Sequence, residues 1–102
     1  MTLHIIILLD KSIMPLISSF YGILIRMYFF DAEQHHLPHI HVQYRGKQAQ
    51  FAIETAEVLA GELPIRQTRL VQAWIELHQD ELAAAWQMAV NGFRPGKIAP
   101  LQ

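Results

Sequence analysis

The stretch HIHVQYRGKQAQFAI, residues 39–53, decides the fold, because apolar and polar side chains alternate on both sides of a short polar segment. Such alternation is typical of strands with one buried face, and a short glycine-containing connection between two of them predicts a β-hairpin. We take RGKQ, residues 45–48, as its loop. A shared apolar face then fixes the register. The predicted apolar pairs are Tyr44 with Ala49, Val42 with Phe51 and Ile40 with Ile53.

The polar side of this hairpin gathers groups that could bind a metal ion. The predicted register sets His39 opposite Glu54, and His41 points to the same side as His39 because successive side chains alternate. Two imidazoles and a carboxylate suit a divalent transition metal such as zinc. Further donors in the preceding loop are Asp31, His35 and His36. The alternative is an ordinary cross-strand pair of His39 and Glu54 on a solvent-exposed face.

The same residue types allow acid–base chemistry without a metal. Histidines can donate and accept protons near neutral pH, and an arginine can stabilise the charge of a phosphate, so that together they resemble the parts of a ribonuclease. The candidate catalytic residues are His39, His41, His78 and Arg26. For His78, which lies within a predicted helix, the alternative is a partly buried and hydrogen-bonded core histidine.

The segments that flank the hairpin predict further strands. FYGILIRMYFF, residues 20–30, is rich in β-branched and aromatic residues and predicts one central strand, on which Arg26 lies among aromatic side chains. After the hairpin, residues 55–64 predict a turn, a short strand near residues 58–60 and a loop. Pro64 suits the first turn of a helix, where its missing N–H costs nothing.

The C-terminal third of the chain predicts helix. Residues 64–89 contain no further glycine or proline, and apolar residues recur at three- and four-residue spacing, which favours one long amphipathic helix. A break near residues 78–80, with Asp80 as the cap of a second helix, is the alternative. Asn91 and Gly92 end the helix, and Phe93 and Ile98 are candidates to pin the tail to the core. The expected fold is α+β: a small antiparallel sheet of three to four strands packed against one long or kinked C-terminal helix.

Length and composition narrow the class of protein. A chain of 102 residues is one domain, and its net charge of −1 gives no overall attraction to nucleic acid or to an anionic membrane. With no cysteine, disulfides and thiolate catalysis are excluded, and we expect a cytoplasmic protein. The apolar run at residues 3–9 is far shorter than the ~20 residues of a membrane span. We expect residues 1–13 to be a peripheral N-terminal extension and residues 14–102 to form the single domain.

Two aromatic and two basic residues are candidates for binding a partner. Trp74 and Trp86 are separated by about 120° around a straight helix, so one of them would contact a partner unless the helix bends, in which case both can be core residues. Arg45 and Lys47 lie in the predicted hairpin loop, and with the other arginines they form either a modest anion-binding or RNA-binding patch or scattered solvated charges.

With these motifs located, the chain from Met14 onward resembles the bacterial DUF4160 family. The matching segments are MPLISSFYGILIRMYFFD at 14–31, PHIHVQYRG at 38–46, GELP at 61–64, LHQDEL at 77–82 and NG at 91–92. The resemblance singles out His39, His41, Trp74, His78, Glu81 and Arg26. It implies a small single-domain protein that is often encoded beside another short protein, an arrangement similar to toxin–antitoxin pairs.

We therefore expect a cytoplasmic toxin–antitoxin-like module that acts through a protein encoded by an adjacent gene, with RNA or DNA as a further partner. The alternative is an enzyme, either a metal-dependent hydrolase or a metal-free ribonuclease, that uses the strand histidines. No membrane partner and no cofactor are expected, apart from the divalent metal of the enzyme alternative. A homodimer is also an option, because unpaired strand edges invite pairing.

Overall fold

The computed structural model of the chain describes residues 14–28 and 37–102, and within them one antiparallel sheet of five strands. The strands are β1 (Leu16–Phe20), β2 (Ile23–Arg26), β3 (His39–Tyr44), β4 (Lys47–Ala52) and β5 (Val58–Gly61). Their order in the sheet follows their order in the chain, so each strand pairs with its sequence neighbour. The predicted α+β class and antiparallel sheet are confirmed, but the sheet has five strands rather than three to four.

The expected single strand over residues 20–30 is wrong. Tyr21 and Gly22, with φ angles of 51° and 78°, form a tight turn that separates β1 from β2. Positive φ at both central residues is the geometry of a two-residue hairpin turn, and it matches the twist of the flanking strands. Strand β2 still lies inside the sheet, between β1 and β3, as a central strand should.

The central hairpin forms where the sequence predicts it, but with a shorter turn. Arg45 and Gly46 make a two-residue turn with φ angles of 46° and 81°, instead of the predicted four-residue loop. The observed partners are Ile40 with Phe51, His41 with Gln50, Val42 with Ala49 and His39 with Ala52. Every pair is displaced by two residues from the prediction. Because side chains alternate with a period of two, each one stays on its predicted face.

Two helices follow the sheet, α1 (Ile65–Leu77) and α2 (Gln79–Val90). The single long helix is wrong, and the alternative of a break near residue 78 is confirmed: His78, with φ −121° and ψ 31°, joins the two helices. Asp80 does not cap α2, which begins one residue earlier, but lies in its first turn, where a negative charge interacts favourably with the helix dipole. Neither helix of the described residues has the length and apolar character that a membrane span requires.

Both helices and the tail contribute to one core on one side of the sheet. Trp74 is fully buried and packs 5.6 Å from the ring of Phe20, and Trp86 is only 7% exposed. The break at His78 turns both indoles inward, so we do not propose either as a direct contact with a partner. The tail is held by Ile98, whose N–H donates to the carbonyl of Ile17 (2.8 Å). Phe93, the other residue expected to pin the tail, is 63% exposed.

Three sequence-based expectations concern residues outside 14–28 and 37–102. These are the peripheral character of residues 1–13, the extension of β2 through Phe30, and the loop donors Asp31, His35 and His36.

Candidate functional site: the polar face of the sheet

The side of the sheet opposite to the core carries a set of polar side chains in register across three strands. We call this surface, formed by Arg26, His39, His41, Gln43, Gln48 and Gln50, the polar face. Arg26 on β2 lies opposite His41 on β3, which in turn lies opposite Gln50 on β4. Adjacent strands are about 4.8 Å apart, so these three side chains form a continuous row. A second row runs from Leu24 through Gln43 to Gln48, and neither row, within the described strands, contains an acidic side chain.

Arg26 is held in a fixed position on this face. Its Nε donates a hydrogen bond to Oε1 of Gln43 (3.1 Å), and one terminal nitrogen donates to the carbonyl of Met14 (3.2 Å). The guanidinium is partly buried, and a planar group with two fixed bonds loses little further freedom when it binds an anion or a carbonyl. The polar face therefore presents an oriented positive charge beside His41.

The two strand histidines are part of a row of four rings that runs from the core to the polar face. The ring centroids of Trp86 and His39 are 5.3 Å apart, those of His39 and His41 are 5.0 Å apart, and Tyr28 meets His41 edge-on at 4.8 Å. His39 is only 2% exposed, and its Nδ1–H donates to the carbonyl of Leu37 (2.9 Å), which fixes the ring orientation. His41 is half-buried. Of the two imidazoles, His41 is therefore the more exposed, although its Nε2 is buried.

A shallow concavity of about 190 Å³ lies over β3, β4 and β5 on this side of the sheet. His41, Gln43, Gln48 and Gln50 line it, and it is bordered by the backbone near Gly61. Each glutamine amide supplies both donors and acceptors. Such a lining suits a ligand that offers the same mixture of groups, as a peptide backbone or the edge of a nucleobase does.

The predicted metal site does not assemble as the sequence predicted. Ala52, and not Glu54, lies opposite His39, because the tight turn shifts β4 by two residues. Glu54 follows the end of β4 and is exposed. Within the residues that the structure describes, no group of three or more histidine, aspartate or glutamate side chains is arranged to hold a metal ion. His39 and His41 do converge, so this half of the predicted site is present.

His78 lies at the junction of the helices rather than on the polar face. Its ring packs 5.4 Å from that of Trp74, and its Nδ1 is 2.5 Å from the carboxylate of Glu81. This agrees with the alternative interpretation of His78 as a partly buried, hydrogen-bonded residue. Trp74, His78 and Glu81, three of the positions singled out by the resemblance, thus form one contact chain that stabilises the helix junction.

The basic residues predicted to bind a partner lie at the tip of the central hairpin. Arg45 and Lys47 are both exposed, and the guanidinium carbon of Arg45 is 5.2 Å from the centre of the Tyr44 ring. Sequence reasoning did not name the glutamines as site residues. The alternation of polar and apolar residues was the signal for them, because Gln48 and Gln50 are two residues apart on one strand and therefore share its polar side.

Comparison with known families places the whole polar face within one family model. The family described as "Domain of unknown function (DUF4160)" matches residues 22–87, which include every residue of the polar face. Comparisons with curated proteins and with solved structures gave no match.

Proposed function

The chain belongs to the DUF4160 family, and from this premise we propose that it is a cytoplasmic binding module of a toxin–antitoxin-like pair, which acts through a protein partner. The polar face is the surface by which it contacts that partner. Nucleic acid is a further ligand of the complex in this proposal. The sequence resemblance supports the pairing with a second protein, and the geometry of the sheet supports the surface.

The single observation that carries the proposal is that, within residues 14–28 and 37–102, the helices and the tail cover one side of the sheet. Both helices and the tail pack on the core side. The opposite side retains partly exposed polar groups in register across three strands, with one oriented arginine. Polar side chains that a rigid sheet already holds in position lose little entropy on binding, which favours association.

The size and shape of the concavity favour a macromolecular partner over a small substrate. Small-molecule sites typically enclose about 300–1,000 Å³ and bury most of the ligand, whereas the concavity on the polar face has about 190 Å³ and is open. A shallow surface that contains amides and one guanidinium resembles a protein interface, where arginine is enriched and hydrogen bonds are frequent.

Co-expression with the product of the adjacent gene tests this proposal. We expect the two proteins to co-purify. We expect Gln48→Glu with Gln50→Glu to weaken the complex, because a carboxylate cannot donate a hydrogen bond and acceptors of the partner are left without a donor. Gln67→Glu with Gln87→Glu, on the helices, makes the same chemical change away from the polar face. The control pair should leave the complex intact.

Two results contradict the proposal. If the adjacent gene product does not co-purify and neither protein alters growth, the chain is not one member of a pair. If the complex forms but both glutamate pairs weaken it equally, the partner does not bind the polar face. Circular dichroism of each variant separates loss of binding from loss of folding.

A ribonuclease is the second candidate function, and the position of Arg26 beside His41 supports it. In this scheme His41 transfers a proton at the scissile phosphate while Arg26 stabilises the developing charge. The burial of His39 weighs against a mechanism with two exchanging histidines, since a residue that is 2% exposed does not reach a substrate; His39 would position His41 instead.

Activity measurements on RNA distinguish the two candidates. Purified protein without a histidine tag, with its metal content determined by elemental analysis, should cleave RNA if the enzyme scheme holds. His41→Ala should then lower the rate by about 10²-fold or more, the usual scale for loss of a general acid or base. An unchanged rate in His41→Ala, or no cleavage by the wild type, removes the ribonuclease candidate.

A further inference from the structure

The last strand of the sheet, β5, leaves one of its edges without a neighbouring strand in the part of the chain that the structure describes. β5 pairs with β4 on one side and stands at the end of the strand order. All four of its residues are exposed. An edge of this kind presents backbone N–H and C=O groups to which an additional strand can hydrogen-bond.

The two edge strands of the sheet, β1 and β5, differ in what lies beside their outer edges. On β1 the tail approaches the outer edge, where the N–H of Ile98 donates to the carbonyl of Ile17. The sequence of β5 is VLAG, which has no charged or proline residue to protect the edge, and the protective features that it does have are its short length and a β-bulge in its pairing with β4. Val58 and Leu59 are instead 40% and 43% exposed. The β5 edge therefore has both the backbone groups and the apolar side chains that an added strand needs.

The charges at the ends of β5 identify the kind of strand that fits. Glu57 and Glu62 flank the strand directly, and both are exposed. In the antiparallel register that pairs all four residues of β5 with a second copy of the chain, Glu57 faces Glu62 of the second copy at both ends. Like charges directly opposite each other destabilise a strand pair. The flanking glutamates thus disfavour a second copy and favour a segment with basic residues at its ends.

We propose that the β5 edge binds an extended segment of a partner protein, in which apolar or β-branched residues are flanked by lysine or arginine. The segment adds a sixth strand antiparallel to β5, and its basic ends lie opposite Glu57 and Glu62. This mode of recognition obtains affinity from backbone hydrogen bonds and selectivity from the flanking side chains. The concavity on the polar face is bordered by Ala60 and Gly61, so an added strand continues the surface that contacts the partner.

This inference rests on the proposed function for the identity of the partner, but strand addition at β5 can be tested without that partner. The probes are two acetylated and amidated hexapeptides, Lys-Val-Thr-Val-Thr-Lys and Glu-Val-Thr-Val-Thr-Glu, whose ends are spaced like Glu57 and Glu62. We expect the lysine peptide to shift the backbone amide resonances of Val58–Gly61 in NMR titrations. We expect its Kd to be about 10-fold lower than that of the glutamate peptide, the scale of two exposed charge pairs changing sign.

Two controls separate strand addition from non-specific attraction. In Glu57→Lys with Glu62→Lys the preference between the peptides should reverse, whereas Glu54→Lys with Glu76→Lys, which changes the net charge equally at exposed sites elsewhere, should keep it. A lysine peptide with N-methylated backbone amides should lose binding, because it cannot donate hydrogen bonds to β5.

Two results of the titrations overturn the inference: no shift of the β5 amides at about 10 mM peptide, which means a Kd too weak for specific binding, or shifts that map to other residues. The inference is also overturned if the charge exchange at residues 57 and 62 leaves the peptide preference unchanged. A wild-type dimer in sedimentation that occupies β5 overturns it as well. Failure of the proposed function has a different signature. If the adjacent gene product binds wild type and the charge-exchanged variant equally, the proposed pair is supported and the β5 site is contradicted. If the adjacent gene product does not bind at all, the proposed pair is contradicted, and the peptide titrations still test whether the β5 edge binds a strand.

Discussion

Gly61 lies in close contact with the backbone of β4, and its replacement tests how closely β5 must approach β4. A Cβ at this position would lie 2.2 Å from the carbonyl oxygen of Gln48 and 3.0 Å from Cα of Ala49. The backbone there has φ 71°, a conformation that costs an L-residue roughly 1–2 kcal/mol. The contact must also be relieved by moving β5 away, which weakens the hydrogen bond from the N–H of Glu62 to the same oxygen (3.1 Å).

These contributions predict the size of the effect in Gly61→Ala. Loss of that hydrogen bond adds about 1 kcal/mol to the conformational cost, so we expect the free energy of unfolding to fall by about 2–3 kcal/mol. Gly46→Ala is the matched control. Gly46 has a similar φ of 81°, but no atom lies within 4 Å of its added Cβ, so we expect only the conformational cost of about 1–2 kcal/mol.

Urea unfolding followed by far-UV circular dichroism measures both values. Gly96→Ala, where φ is not in the left-handed region and the added Cβ meets nothing within 4 Å, should change stability by less than about 0.5 kcal/mol. The reasoning is refuted if Gly61→Ala costs no more than Gly46→Ala, because then the close approach of β5 to β4 contributes nothing.

Two other contacts give further predictions. Trp74→Phe removes the indole N–H that donates to the carbonyl of Ala99 (2.8 Å) and leaves a cavity at a fully buried position, so we expect stability to fall by roughly 2–4 kcal/mol. We also expect faster proteolysis within residues 93–102, and equal proteolysis of both proteins would show that this bond does not hold the tail. Gln79→Ala removes the side-chain donor to the carbonyl of Ile53 (2.6 Å), so we expect the free energy of unfolding to fall by about 1 kcal/mol. The exposed Gln87→Ala should lower it by less than about 0.5 kcal/mol. A similar value for both variants would contradict a role of Gln79 in docking α2 on the sheet.

The alternation of apolar and polar residues was sufficient to assign faces but not to assign register. His39, His41 and Arg26 lie on one side of the sheet as predicted, because a displacement of two residues changes partners without changing sides. The partner itself depends on the length of the turn. Arg45 and Gly46 alone complete it, and for that reason Glu54 is not opposite His39.

Turns formed by residues that rarely adopt positive φ were the hardest feature to predict. Tyr21 has φ 51°, which its residue type does not predict, and Gly22 was the one residue in the apolar run that could have indicated a turn. The helix break was easier to anticipate, since a helix of that length is more than the sheet can cover. Its consequence for Trp74 and Trp86 followed from the geometry of the bend, which places both indoles in the core.

The order of the strands has a consequence for how quickly the chain can reach its native state. Because β1 to β5 pair only with their sequence neighbours, most of the sheet closes through short loops, and the contacts within each hairpin are local. Proteins with low contact order fold faster than those whose strands pair across long separations. The β3–β4 hairpin, with its two-residue turn, is a natural starting point for folding. β5 can then pair with β4 once residues 53–57 have reversed the direction of the chain. The tail, which contacts Trp74 and the edge of β1, follows the sheet in the chain, so the strands can pair before the edge of β1 is covered.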